Sequence, residues 1–134
     1  MSHQDGRAQA VYLLNQVLGE KRLLAEVLAA GALEQLSPPE RARSQRLATE
    51  TLRALERCDR ILGRHLRKTP ALHVQNILRL GTYELCAGAA AHGVVDSLVS
   101  LTAKHKRHGA LKGLVNAVLR KVCLLYTSPS PRDA

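Results

Sequence analysis

A chain of 134 residues is one domain by length and can bury a core without disulfide or metal staples. Hydrophobic residues make up 46% of it but aromatics only 2%, so the core has to come from Leu, Val, Ile and Ala, which suits closely packed helices. Twenty Lys and Arg against 11 Asp and Glu leave a net charge of +9, an excess that attracts polyanions, nucleic acid first among them. No apolar run reaches membrane-spanning length and Met1 to Arg7 is polar, which argues against a membrane partner and for a cytoplasmic location. Cys58, Cys86 and Cys123 are too few and too scattered for a disulfide framework or a zinc site, and are expected to be idle thiols.

In chain order, the spacing predicts a first helix from about Gln4 to Leu18, with Val11, Leu14 and Leu18 on one stripe. A second runs from about Lys21 to Leu33 on Leu24, Leu28 and Gly31. In "LSPPERARSQR", Ser37 is a fitting N-cap, Pro38 and Pro39 suit the first turn, and Glu40 complements the positive helix end. This third helix reaches about Cys58, with an outer face of Arg41, Arg43, Arg46, Arg53 and Arg57. A short fourth helix, about Asp59 to Arg67, precedes "KTP". Val74, Ile77, Leu78, Gly81 and Leu85 then mark a fifth. A glycine inside it costs about 1 kcal/mol relative to Ala, which close approach of a neighbouring helix backbone would justify. The sixth spans about Gly93 to Lys106 on Val95 and Leu98, and the last about Leu111 to Val122 on Leu114, Val115, Val118 and Val122. No strand-period stretch competes, so the fold class is all-α.

Nothing in the chain carries out chemistry. "GTYELCAG" lacks phosphate-loop spacing, and no Cys or Ser has a local base and orienting group. His105 and His108 have metal-ligand spacing but no nearby third ligand. Binding is better supported. "KHKRHGALKG" crowds Lys104, Lys106, Arg107 and Lys112 between two helices, and His105 and His108 could add charge in mild acid. A helix N-terminus follows, whose free N–H groups also favour phosphate. Part of the arginine row on the third helix is explicable as salt-bridge lacing with Glu50 and Glu56. With so few aromatics there is no stacking platform, so recognition should rest on phosphates and shape and depend steeply on salt.

Three stretches, "ILRLGTYEL" (Ile77 to Leu85), "HGVVDSLVSLTAKH" (His92 to His105) and "GLVNAVLRK" (Gly113 to Lys121), resemble the NusB-like helical fold in order and spacing. "RAQAVYLLNQVL" (Arg7 to Leu18) resembles its first helix, and "ATETLRALERCDRIL" (Ala48 to Leu62) its middle segment. The resemblance implies a split bundle of six to seven helices, over residues 1–122, that binds RNA. The family has two branches. One is a free-standing transcription antitermination factor that binds RNA together with a ribosomal protein. The other is the N-terminal domain of RsmB-type small-subunit rRNA cytosine-C5 methyltransferases. "NAVLRK" has Arg120 where the first branch usually has an acid, and the first helix has only Arg7 at its start, so the second branch is favoured. That implies a domain that positions rRNA for its own methyltransferase domain, with no cofactor here and S-adenosylmethionine bound elsewhere in the parent enzyme. One departure is Asp96-Ser97, where the family usually has Asn-Glu at the start of the sixth helix; Asp96 could still cap it. The expected RNA contacts are Arg7, Arg46, Arg53, Arg79, Lys104, Lys106, Arg107, Lys112, Arg120 and Lys121. A third reading is a helical protein-interaction domain whose charge is incidental.

Residues 123–134, "CLLYTSPSPRDA", leave this pattern abruptly. They resemble one reading frame of a transposon-based sequencing-library adapter, which accounts for every residue of the string. A natural Ser/Pro linker would explain only its composition. The tail is therefore expected to be non-native and disordered, marking a truncated gene.

Overall fold

The computed structural model describes residues 6–126, and the regular elements among them are helices: α1 (Gly6–Gly19), α2 (Leu24–Ala29), α3 (Pro38–Arg53), α4 (Leu55–Leu62), α5 (Leu72–Cys86), α6 (Ala91–Ala103) and α7 (Lys112–Tyr126), with a 3₁₀ turn at Gly109–Leu111 ahead of α7. No helix among the described residues is long and apolar enough to cross a membrane.

Helix α5 is the axis on which the others pack. Ten of its 15 residues are buried, including Asn76, Arg79, Thr82 and Glu84, because α1, α3, α4, α6 and α7 all lean on it. A helix covered on every side needs apolar residues all round and partners for its polar ones. Both conditions are met except at Thr82, whose buried hydroxyl has no hydrogen-bond partner among the described residues. Val74, Ile77, Leu78, Leu80 and Leu85 have no exposed surface, and each contributes about 1.5–3 kcal/mol by leaving water. The polar partners come from α1 and α4, as described below.

Sequence periodicity places the helices well and their ends less well. Ser37 caps α3 as its spacing predicts: its Oγ accepts the Glu40 N–H at 3.4 Å, with prolines in the first turn. The break after α3 falls at Ala54, not at Cys58. Ala54 departs from helical geometry, with φ −98° and ψ 14°, yet the Cys58 N–H still reaches its carbonyl at 2.9 Å. The joint is thus a kink between two helices. Helix α2 is shorter than expected; turns fill most of the chain from Ala30 to Leu36. Helix α6 starts at Ala91, so Asp96 lies inside it and caps nothing; its carboxylate instead sits 3.3 Å from His92 Nε2, one turn back.

Helix α7 runs past the expected helix end at Val122. It continues to Tyr126, leaving Leu124 and Leu125 exposed. Residues 127–134, where the rest of the expected disordered tail falls, lie outside the described residues.

Gly81 faces α6 and α7, but side chains crowd it rather than a backbone. A Cβ there would stand 2.7 Å from Leu119 Cδ2 and 3.0 Å from Leu98 Cδ1.

Candidate nucleic-acid interface

The basic connection between α6 and α7 is a built turn. His105 organises it: its Nδ1 accepts the backbone N–H groups of Arg107 and His108, both at 3.1 Å, so in this geometry the ring carries its proton on Nε2. The His105 carbonyl accepts the Gly109 N–H at 2.9 Å, and a side chain at Gly109 would press on the Ala103 carbonyl oxygen at 3.0 Å. With its backbone tied down in this way, the segment turns Lys104, Lys106 and Arg107 outward around a concavity of about 610 Å³ that also borders His105 and His108. Lys112 opens α7 beside it. None of the four cations pairs with a carboxylate among the described residues, which leaves their charge open to a polyanion.

A buried polar relay holds this turn against the bundle. Arg79 Nη1 donates to Asn76 Oδ1 at 2.9 Å, Asn76 Nδ2 donates to Asn15 Oδ1 at 2.8 Å, and Asn15 Nδ2 donates to His73 Nδ1 at 3.0 Å. The His73 ring packs against His105 and His108, with ring centroids 4.4 and 5.9 Å away. Burial, then the neighbouring His105 and His108, lowers the His73 pKa from its ordinary 6.5. His108 is lowered too, by burial and then by His105 and Arg107. His108 stacks on both other rings while His73 and His105 are tilted by 37°, and no group of His, Cys, Asp or Glu among the described residues is arranged to hold a metal ion.

The other expected contacts fall into three groups. Arg120 and Lys121 are exposed on α7, where Arg120 Nε donates to Asn116 Oδ1 at 2.9 Å. Arg46 and Arg53 are exposed on α3, outside the α6–α7 hairpin, and Arg53 is laced to Glu50 at 3.2 Å. Arg7 and Arg79 serve the interior instead. Arg7 forks onto Glu84 at 2.7 and 3.1 Å, and Arg79 forks onto Asp59 at 2.7 and 2.9 Å. The side chain of Arg79 is only 11% exposed, so it cannot serve as a surface contact for RNA. Sequence reasoning missed Arg60 and Arg64, which with Arg57 occupy one face of α4 and the turn after it; their i, i+3, i+7 spacing is visible in the sequence.

Cys58 is buried, and its thiol is pushed up to about 11, chiefly by burial, which disfavours the reactive thiolate. A nucleotide cradle of the strand–turn–helix kind needs a strand, and the regular elements among the described residues are helices.

A sequence profile described as the NusB family matches residues 4–123. T. maritima NusB, a solved structure, aligns over 92% of this chain and 92% of its own, with TM-score 0.72 and 22% identity, a likeness that carries the fold. A search of curated proteins finds no match. The matched span runs from the start of α1 into the last turn of α7, and the chain belongs to the NusB family.

Proposed function

We propose that this NusB-family domain binds RNA by its phosphates, through the α6–α7 connection and the neighbouring cations of α7. The carrying observation is the fixed turn that presents Lys104, Lys106 and Arg107 without carboxylate partners. The test is affinity for a single-stranded RNA as a function of salt. The expected result is a linear fall of log K against log salt, with a slope of about −0.7 per phosphate neutralised. A flat response overturns the reading.

Within that reading, the domain places small-subunit rRNA for a cytosine-C5 methyltransferase domain that binds S-adenosylmethionine, supported by Arg120 in "NAVLRK" and by the sparse arginines at the start of α1. A free-standing antitermination factor, acting on RNA with a ribosomal protein, is the second reading, and membership of the NusB family supports it equally. Genomic sequence past the codon for Val122 separates the two: an open frame into a methyltransferase domain supports the first, a prompt stop codon the second.

A further inference from the structure

We propose that Arg57, Arg60 and Arg64 on α4 form a second phosphate-binding strip that takes the backbone of the same RNA; the inference rests on the RNA-binding reading above. The three lie at i, i+3 and i+7, on one face of α4 and the turn after it, and are exposed. Together with Ile61 and Cys86 they line one concavity of about 400 Å³. None of them closes an ion pair among the described residues, whereas Arg7, Arg43, Arg53 and Arg79 each meet a carboxylate. Glu56, one turn before Arg60, forms no ion pair with it, and Asp59 is occupied by Arg79. Three unneutralised guanidiniums on one helix face repel one another, and an anion bound across them removes that cost.

The guanidinium fork, present at every member of the strip, matches phosphate and carboxylate oxygens alike two at a time, so it is the extent of the cations that favours a polynucleotide over an acidic peptide. Further cations lie beyond the strip. His65, next to Arg64, has its pKa lowered by burial and then by the charges of Lys121 and Arg64. Further along the chain, Arg67 and Lys68 border a groove walled by Leu111 and Leu114, at the start of α7 and beside the basic connection. Cations spread over this length suit an extended polyanion. At 1.5 Å of rise per residue, Arg57 to Arg64 spans about 10 Å, and their long side chains extend the reach of the three guanidiniums to successive phosphates of one strand.

The experiment is fluorescence anisotropy of the full chain with a labelled 20-nucleotide single-stranded RNA across a salt series. The unaltered protein is compared with Arg57→Gln/Arg60→Gln/Arg64→Gln, the corresponding triple Arg→Lys variant, and Lys104→Ala/Lys106→Ala/Arg107→Ala. We expect the Gln variant to lose about 2 from the slope of log K against log salt and at least tenfold in affinity at low salt. The Lys variant should keep the slope. A Gln variant that matches the unaltered protein while the Lys104 series still loses slope overturns the strip and leaves the RNA reading standing. A Lys variant that loses as much as the Gln variant makes the effect structural and overturns the strip as well. Tighter binding of polyglutamate than of RNA to these arginines assigns the face to an acidic protein, with the same consequence. A flat salt response of the unaltered protein removes both proposals.

Discussion

Arg79 grips Asp59 with both prongs of its guanidinium, Nε to Oδ1 at 2.7 Å and Nη2 to Oδ2 at 2.9 Å, and so ties α4 to the central helix. Its remaining Nη1 starts the relay through Asn76 and Asn15 to His73. Asp59 is 38% exposed, so solvent screens its half of the pair, while Arg79 has little water to fall back on. Asp59→Ala would leave a buried cation with one partner fewer and should cost about 2–3 kcal/mol. Arg79→Ala should cost at least as much, since it also frees Asn76 Oδ1. Urea unfolding followed by circular dichroism measures this. Loss of RNA affinity in Arg79→Ala at unchanged stability would return Arg79 to the binding surface.

Acid should weaken the fold through the histidines. A His whose pKa is lowered in the folded state is protonated more readily when unfolded, so the unfolded chain binds more protons below about pH 6.5. Stability is therefore full above that value and falls as pH drops through the folded pKa. His73, His108 and His65 are all shifted in this direction. The groups facing His73 are Asn15 from α1 and His105 and His108 from the connection, which also carries Lys104, Lys106 and Arg107. No carboxylate stands among them to welcome a proton. The urea midpoint should hold between pH 7 and 8 and decline below 6.5, and His73→Gln should reduce that decline without abolishing it. A midpoint that rises on acidification contradicts the argument.

Gly81 offers a packing test. Ala in its place gains about 1 kcal/mol of helix propensity but must push aside Leu119 and Leu98, both fully buried, at about 1–3 kcal/mol. The net loss expected is about 1 kcal/mol. The methyls it strikes belong to Leu side chains, so Leu119→Val should absorb part of the penalty, and the two substitutions should be non-additive in a double-mutant cycle. A backbone contact, as the sequence alone led us to expect, would give no such rescue.

What the sequence showed and what it hid divide along a physical line. Local periodicity marks Val74, Ile77, Leu78 and Leu85 as one stripe, and all of them are buried. The Ser-Pro-Pro-Glu start of α3 carries its own capping chemistry and falls where expected. The kink at Ala54 leaves no trace, because Ala and Leu favour helix on both sides of it. Arg79 looks like any surface arginine until Asp59, 20 residues away, is placed opposite. His73 likewise meets His105 only through the fold of α5 against the α6–α7 hairpin. For the candidate site, the density of Lys104, Lys106 and Arg107 was legible; the role of His105 as the acceptor that shapes their turn was not.

That division yields the last prediction, which separates cations that bind from cations that build. Lys104→Ala/Lys106→Ala/Arg107→Ala removes three exposed charges without touching the hydrogen bonds to His105 Nδ1, which come from backbone N–H groups. Its stability should stay within about 0.5 kcal/mol of the unaltered chain. Its RNA affinity should fall for every sequence tried, and the salt slope should shrink by about 0.7 for each phosphate that is no longer neutralised. Arg7→Ala should do the reverse. Its guanidinium forks onto Glu84, whose side chain is only 6% exposed, so its loss strands a buried carboxylate and should lower the urea midpoint while leaving the salt slope intact. Filter binding at two salt concentrations, set beside urea titration of each variant, reads both quantities. Should Arg7→Ala flatten the slope while the triple variant does not, the RNA surface lies at the α1 end of the bundle and not at the α6–α7 connection.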